Sequence, residues 1–181
     1  GPLDMRMDQG QKLTASTWLN QATEKEISDV LFQYGEERCS RRIARTIVAA
    51  RAIAPITTTL ALAELVKQAI PRARWEKNKH PATRTFQALR IFVNDELNEI
   101  RLGLEGSLKV LKIGGRLLVI TFHSLEDRIV KEFFKRHTGG DVPKRLAITN
   151  SELNIQLKNL TKAIKASQTE IDRNPRARSA K

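Results

Sequence analysis

The chain has 181 residues, of which 40% are hydrophobic, so it can hold one ordinary domain, or one and part of another, and global disorder is disfavoured. Thirty-two Lys and Arg against 20 Asp and Glu leave a net charge of +12, which favours a polyanionic partner such as nucleic acid over a merely well-solvated basic surface. A single cysteine excludes an internal disulfide and predicts a cytoplasmic protein. No apolar run approaches the roughly 20 residues of a bilayer span, so no membrane partner is expected.

The chain starts with a loop and a short helix. Residues 1–13 show no hydrophobic periodicity and are predicted to form a loop. Thr14 or Ser16 can cap the first helix, which carries Trp18 and Leu19. Because aromatic residues make up only 5% of the chain, its core is expected to be aliphatic and mostly helical.

A second helix begins at a capping box. Thr23 is followed three residues later by Glu26, the spacing in which each side chain bonds to the other residue's backbone N–H. Gly35 is predicted to end this helix at the position after its C-cap, where a left-handed backbone favours glycine. The apolar face of this helix is formed by Ile27, Val30 and Leu31.

Two more helices complete a compact helical unit. A third helix is predicted over residues 36–54 and is ended by Pro55. Thr57 or Thr58 caps the fourth, which stops before Pro71. The residues expected to face inward are Ile43, Ile47 and Ala50 in the third helix, and Leu62, Leu65, Val66 and Ala69 in the fourth.

A basic linker separates these helices from a long one. Residues 71–81 are rich in Lys, Arg and Pro, and Pro81 suits the first position of the next helix. Gly103 and Gly106 are expected to break that helix before a shorter piece that ends at 114–115. Its apolar stripe consists of Phe86, Leu89, Val93, Leu97, Ile100 and Leu104.

The hydrophobic period then changes. Residues 116–122 form a continuous apolar run bounded by two glycines, which predicts a strand buried on both faces of a parallel sheet. Ser124 and Asp127 are predicted to cap the following helix, which carries Ile129, Val130, Phe133 and Phe134. Strand and helix in this order indicate a doubly wound α/β fold. One strand cannot make a sheet, so either the remaining strands lie outside this chain or the interpretation is wrong.

The last forty residues carry weaker signals. Residues 144–149 are compatible with a short strand, and residues 155–164 with either an edge strand or a helix. Ser167 with Glu170 forms another capping box, which starts a short turn that runs into Asn174.

No complete active site is present in the sequence. Three histidines and Cys39 have no metal-ligand spacing, so no metal is expected, and there is neither a dinucleotide-binding glycine motif nor a Walker loop. The most suggestive segment follows the predicted strand, where α/β sheets place their ligand crevice. Its candidate catalytic residues are His123, Ser124 and Asp127, although a capping or structural role explains all three equally well.

Basic residues supply the candidate RNA-binding positions. Four arginines lie on one side of the third helix, although Glu37 stands four residues before Arg41 and allows an ordinary ion-pair face instead. Trp75 among basic residues offers a stacking surface typical of single-stranded RNA binders, or a packed linker aromatic. Near the C-terminus, two arginines can grip phosphate or a partner carboxylate. The candidate RNA-binding residues are Arg38, Arg41, Arg42, Arg45, Arg72, Arg74, Trp75, Lys77, Lys79, Arg128, Arg176 and Arg178.

Five segments, spread from residue 1 to residue 179, together resemble one known family. These segments are 1–8 (GPLDMRMD), 34–38 (YGEER), 80–97 (HPATRTFQALRIFVNDEL), 122–128 (FHSLEDR) and 174–179 (NPRARS). They are similar to signature segments of the bacterial ribosomal RNA small subunit methyltransferase H, or MraW-type, family, and they occur in the family's order.

The resemblance implies a specific activity and fold. Members of the family use S-adenosylmethionine to methylate N4 of a cytidine in the decoding region of 16S rRNA, on the small ribosomal subunit. Their Rossmann-like α/β methyltransferase domain is interrupted by an all-helical insertion that helps to recognise substrate. By this comparison, residues 1–8 end a methyltransferase-domain loop, 9–80 form the helical insertion, and 81–181 form the second half of the α/β domain.

The resemblance also implies what lies outside the chain. The family's cofactor-binding strand and glycine-rich loop precede the first matched segment, so no S-adenosylmethionine ligand is assigned to this chain, which is expected to be inactive alone. His123 and Asp127 become candidates for lining the pocket of a flipped cytosine. The competing interpretation is a non-enzymatic RNA-binding or ribosome-assembly module. The sequence leaves open whether a second copy completes the sheet as a homodimer.

Overall fold

A computed structural model describes residues 1–77, 79–139 and 155–181 of the chain. Within these ranges the regular structure is helical. The α-helices are α1 (Ala15–Gln21), α2 (Glu24–Gly35), α3 (Ser40–Arg51), α4 (Thr59–Ala69), α5 (Thr83–Val93), α6 (Glu96–Val110), α7 (Ser124–His137) and α8 (Gln168–Arg173), with 3-10 turns at Arg72–Arg74 and Pro175–Ser179. The chain divides into two compact units, Gly1–Glu96 and Leu97–Lys181. The three domains predicted from the sequence stay a prediction.

The unit Gly1–Glu96 is a helical bundle in which α2 packs against both α3 and α5, and α3 packs against α4. Hydroxyl side chains start three of its helices: Thr14 caps α1, Thr23 forms the predicted capping box of α2, and Thr58 caps α4. The N-terminal loop joins this core through Leu3, which is 1% exposed and donates its N–H to the Thr57 carbonyl. The predicted loop and these helix starts are confirmed.

Gly35 does not occupy the position predicted for it. It is the last residue of α2 with an ordinary helical backbone, and Glu36 takes the left-handed conformation with φ of 50°. A Cβ on Gly35 would lie 2.6 Å from the backbone oxygen of Arg84 in α5. The glycine is therefore required by close helix packing and not by backbone handedness, a requirement that depends on a residue far along the chain.

Other helix boundaries differ from the predictions. The third helix starts at Ser40 instead of residue 36, since Glu36 adopts a left-handed backbone and Glu37 turns inward to accept the Cys39 N–H at 2.8 Å. The long helix predicted from Pro81 is two helices, because Asp95 adopts a φ of 49° between α5 and α6. Gly103 and Gly106 do not break α6, which continues through both to Val110.

In the unit Leu97–Lys181, the predicted strand is not formed within the described residues. Residues 116–122 run without secondary structure, and their exposure alternates instead of being buried on both sides. Leu118, Ile120 and Phe122 are 83%, 62% and 54% exposed. A strand is defined by hydrogen bonds to a neighbouring strand. Among the described residues, only Thr121 of this segment exchanges backbone hydrogen bonds with a distant residue, which is Lys181 at 3.0 Å in both directions. The α/β prediction is therefore not confirmed.

The cap of α7 also differs from the prediction. Its N-cap is His123, whose Nδ1 accepts the Glu126 N–H, while Glu126 Oε2 accepts the His123 N–H. Ser124 is the first helical residue, so neither it nor Asp127 caps the helix. The capping box of α8, Ser167 with Glu170, is confirmed.

The tail between α7 and α8 is only partly described. Residues 155–164 form neither of the elements predicted for them and have no regular structure. The strand predicted at 144–149 lies outside the described residues.

Candidate nucleic-acid interface

The helix α3 presents a basic face to solvent. Its opposite face buries Ile43, Ala44 and Ile47, each with no exposed surface, so the predicted arginines on the other side project outward. The exposed cations are Arg38, just before the helix, and Arg41, Arg42 and Arg45 on it. Helical periodicity alone therefore places this basic group.

The alternative of an ordinary ion-pair face is not what the described residues form. Glu37 is 6% exposed and accepts the Cys39 N–H, and no ion pair between Glu37 and Arg41 is present. Of these four arginines, only Arg45 has a carboxylate neighbour among the described residues, Glu24 at 3.8 Å, and both side chains are well exposed, so that pair contributes little.

The basic segment after α4 packs next to the start of α3. Arg74 in the 3-10 turn donates from Nη1 to Cys39 Sγ at 3.4 Å. Trp75 donates from its indole Nε1 to the Ile70 carbonyl at 3.1 Å, and the guanidinium carbon of Arg72 lies 5.9 Å from the Trp75 ring centroid. The indole ring is therefore held in one orientation, half-buried, beside the basic face of α3.

Two cavities, each of about 540 Å³, flank the junction formed by Arg38, Cys39 and Arg74. We call the first the tryptophan cavity, whose lining includes Glu37, Trp75, Glu76, Lys79, His80 and Arg84. We call the second the arginine cavity, whose lining includes Ser28, Asp29, Phe32, Ser40, Arg41 and Arg42. Two groups of residues that were predicted separately thus share one surface of the unit Gly1–Glu96.

The tryptophan cavity contains residues that sequence reasoning missed. Arg84 donates to Glu76 Oε1 at 2.6 Å, and Lys79 lies 3.2 Å from Glu76 Oε2. These two cations hold the pKa of the Glu76 carboxyl below its ordinary value, with the Arg84 hydrogen bond as the larger cause. Arg84 comes from α5, 46 positions after Arg38, and no local spacing connects the two.

The other predicted RNA-binding residues lie elsewhere. Lys77 is exposed near the tryptophan cavity but is not among the residues that line it, and Arg128 is exposed on α7. Arg176 and Arg178 are exposed in the 3-10 turn Pro175–Ser179, whose cap is Asn174, with its side chain accepting the Arg176 N–H at 3.2 Å. Their RNA-binding roles stay predictions.

The candidate catalytic residues lie together at the start of α7. The imidazole of His123 is used by the helix cap, and its buried Nε2 makes no hydrogen bond but lies 3.2 Å from Glu126 Oε1. Asp127 Oδ2 accepts hydrogen bonds from Lys131 at 2.8 Å and from Lys181 at 2.9 Å. Lys131 and then Lys181 lower the pKa of the Asp127 carboxyl, because each stabilises the ionised form. Ser124 is exposed.

Two observations within the described residues bear on a cofactor or a metal ion. A Cβ on Gly115 would meet the Lys112 backbone oxygen at 2.8 Å, so this glycine closes a turn against its own chain and does not form a cradle for a ligand. No group of three His, Cys, Asp or Glu in the described ranges is placed to hold a metal ion. None of the helices there has the length and apolar character needed to span a bilayer.

Comparison with known proteins shows a match along the whole chain. The model of the MraW methylase family matches residues 1–181. Three curated relatives are each called ribosomal RNA small subunit methyltransferase H: those of Marinomonas sp. (51% identical), Chromohalobacter salexigens (53%) and Legionella pneumophila strain Paris (52%). Each alignment covers 99% of this chain and 57%, 54% or 58% of the relative. The chain therefore spans little more than half the length of these relatives.

Proposed function

The chain belongs to the MraW methylase family, and from this premise we propose that it forms part of an enzyme that methylates small-subunit ribosomal RNA. The finer proposal is S-adenosylmethionine-dependent methylation of N4 of a cytidine in the decoding region of 16S rRNA. The observation that carries the proposal is the family match over residues 1–181, together with relatives about half identical that are called ribosomal RNA small subunit methyltransferase H. A cytoplasmic location is part of the proposal.

The basic face of the unit Gly1–Glu96 supports an RNA substrate. Arg38, Arg41 and Arg42 are exposed and form no ion pair within the described ranges. Unpaired guanidinium groups on one surface attract phosphate and release its counterions on contact. A net charge of +12 acts in the same direction over longer distances.

Residues 81–181, which include the unit Leu97–Lys181, are proposed to be half of a Rossmann-like α/β domain. Within residues 116–122, Leu117, Val119 and Thr121 are more buried than their neighbours, while Leu118 and Ile120 are exposed. This alternation with period two is the pattern of a strand whose second face is uncovered. We propose that other strands of the whole enzyme pair with the edges of this segment and that helices of the same domain cover its bare face.

Asp127 is proposed to contact the cytosine that is modified. Both lysine hydrogen bonds go to Oδ2, and none is formed by Oδ1 within the described part of the chain. An ionised carboxylate oxygen accepts a hydrogen bond from the N4 amino group of cytosine. Because its pKa is lowered, Asp127 is suited to orient the amino group and poorly suited to remove a proton from it.

S-adenosylmethionine, when bound, would supply the methyl group as an electrophilic sulfonium. Because the resemblance places the family's cofactor-binding strand and glycine-rich loop before the first matched segment, we assign no cofactor contact to this chain and derive no step through the cofactor. Ser124 stays a candidate for lining the base pocket.

The test is transfer of labelled methyl from S-adenosylmethionine to unmodified small ribosomal subunits, with this chain beside the same chain extended at its N-terminus to the length of its relatives. We expect transfer by the extended protein alone, at N4 of one cytidine. RNA binding without transfer by either protein would contradict the enzyme proposal and favour a binding or assembly module.

His123 provides a matched pair of variants in the extended protein. Asn is a good N-cap residue, so His123→Asn keeps α7 capped, whereas His123→Ala loses the cap. If the imidazole lines the base pocket, both variants cut transfer at least tenfold while cofactor binding is unchanged. Full activity of His123→Asn would reduce His123 to a helix cap.

The C-terminal arginines have a matched control in the same region. If Arg178 grips RNA, Arg178→Glu weakens binding and flattens its salt dependence. Arg173→Glu makes the same charge change at the end of α8 and is expected to have the smaller effect. Equal salt slopes for the two variants would rule out the Arg178 contact.

A further inference from the structure

The arginine cavity concentrates positive charge without neutralising it. Arg38, Arg41, Arg42 and Arg74 line it, and none forms an ion pair with a carboxylate in the described ranges. The one carboxylate in its lining, Asp29, is held by Lys25 at 2.6 Å. Converging like charges are unfavourable unless an anion joins them, so the cavity is suited to a group with several anionic oxygens.

The start of α3 adds to this preference. Its N-cap, Cys39, makes no side-chain capping hydrogen bond, and the first turn contains no acidic residue. The Ser40 N–H donates to the Glu37 carbonyl at 3.2 Å, whereas the next two residues, Arg41 and Arg42, line the arginine cavity and their backbone N–H groups have no side-chain cap. Phosphate oxygens can accept hydrogen bonds both from these backbone N–H groups and from the guanidinium groups.

The tryptophan cavity differs in how its cations are engaged. Its carboxylate Glu76 is bridged by Arg84 and Lys79, so these two cations already have an anionic partner. Ile70, Trp75 and Pro81 contribute apolar wall. A polar cavity whose Arg84 and Lys79 are already paired, with a fixed indole ring in its wall, suits a flat heteroaromatic ring better than a phosphate.

We propose that the two cavities bind one stretch of unpaired RNA, with a backbone phosphate in the arginine cavity and a neighbouring base against Trp75 in the tryptophan cavity. Arg38 and Arg74 line both cavities and therefore join the two contacts. This inference rests on the proposed function for the identity of the RNA. Because the contacts are made to a phosphate and to the face of a base, the grip tolerates different sequences.

Unpaired RNA is favoured over a duplex by the shape of the site. In a duplex the bases are stacked on each other, and the ring faces are not offered to a side chain. A base in an unpaired segment can leave the stack and lie on an indole, and stacking of this kind is tolerant of base identity because every base has a π face.

The first test is binding of the 181-residue chain to a fluorescein-labelled, unstructured RNA heptamer, followed by anisotropy at several salt concentrations. The variant is Arg41→Glu with Arg42→Glu, and the control is Arg101→Glu with Lys109→Glu, which makes the same charge change on exposed positions of α6. We expect at least tenfold weaker binding for the first variant, and a salt slope flatter by roughly one to two units. Equal losses in variant and control would overturn the arginine site.

The second test is tryptophan emission, because the chain contains only Trp18 and Trp75. In a Trp18→Phe chain, the heptamer is expected to quench the remaining Trp75 emission, and an abasic heptamer is expected to quench it much less. In a Trp75→Phe chain, Trp18 emission should stay unchanged on binding. Absence of quenching in the Trp18→Phe chain, with RNA bound and circular dichroism unchanged, would overturn the stacking contact.

These tests separate the site from the enzyme proposal. Binding at these residues with no methyl transfer by the extended protein would leave the site standing and reject the proposed reaction. Methyl transfer by the extended protein that is unchanged by Arg41→Glu with Arg42→Glu would support the proposed reaction and reject the site.

Discussion

The two units of this chain differ in how completely they bury their apolar residues. Of the 25 buried hydrophobic residues in the described ranges, 21 lie in Gly1–Glu96 and four in Leu97–Lys181. Of the 14 large hydrophobic residues that are exposed there, five lie in the first unit and nine in the second. The first unit closes a core with its own residues, and the second leaves much of its apolar surface bare.

This difference shows that a local hydrophobic pattern specifies a fold only where the chain also contains the partner surfaces. In the first unit each helix has its apolar face, and the partners for those faces lie within the same 96 residues. In the second unit α6 and α7 meet through a small cluster around Leu104, Ile129 and Phe133. The exposed alternate residues of 116–122 have a strand pattern without a neighbour, and the pattern alone cannot supply one.

The largest expected effect contrasts one leucine from each unit. Leu31 has no exposed surface, so Leu31→Ala should lower the free energy of unfolding by about 2–5 kcal/mol through lost burial and a cavity. Leu118 is 83% exposed, so Leu118→Ala should change it by less than about 0.5 kcal/mol. Urea unfolding of both variants measures this. A comparable loss for Leu118→Ala would mean that this face is already covered in the isolated chain, whereas a loss seen only in the extended protein would sharpen the contrast.

The second contrast concerns two helical glycines and has opposite signs. Gly35→Ala places a methyl group 2.6 Å from the Arg84 backbone oxygen, which should cost about 1–3 kcal/mol as α2 and α5 move apart. Gly103 in α6 has no atom within 4 Å of such a methyl group, so Gly103→Ala should stabilise by up to about 1 kcal/mol. Thermal unfolding followed by circular dichroism tests both signs. Destabilisation by Gly103→Ala would show that α6 is covered on that side.

The smallest expected effect is the acid sensitivity of the link between α7 and Lys181. The pKa of Asp127 is lowered in the folded chain. Its contribution to the free energy of unfolding is therefore fully present above the unfolded-state pKa of about 4, and it is lost as the pH falls through the pKa of the folded state. The stability difference between the native chain and Asp127→Asn should therefore shrink below about pH 4. Denaturant unfolding at a series of pH values measures it. A difference that grows at low pH would contradict the assigned ion pairs.

Much of the helical unit could be predicted from the sequence because its signals are local. Thr23 and Glu26 specify a helix start within three residues, and Ile27, Val30 and Leu31 specify its buried face. The five family-like segments pointed to the family that the comparisons then showed. The basic residues of α3 were found for the same reason, since one helical period places them on one side.

Other features were decided only by contacts between distant residues. Gly35 is required by Arg84, and Arg84 completes the tryptophan cavity beside Arg38. His123 was predicted as a candidate for the base pocket, and its imidazole also caps α7. The sequence did not reveal this cap, because His is a rare N-cap residue and the adjacent Ser124 is a commoner one.

The sequence by itself determined the family, the basic character and the places where most helices of the first unit start. The tertiary structure alone decided which cations share a surface and whether residues 116–122 become a strand. The physical reason is range: caps and periodicity act within a few residues, whereas cavities, close helix approaches and sheet pairing depend on backbone and side chains brought together from far along the chain.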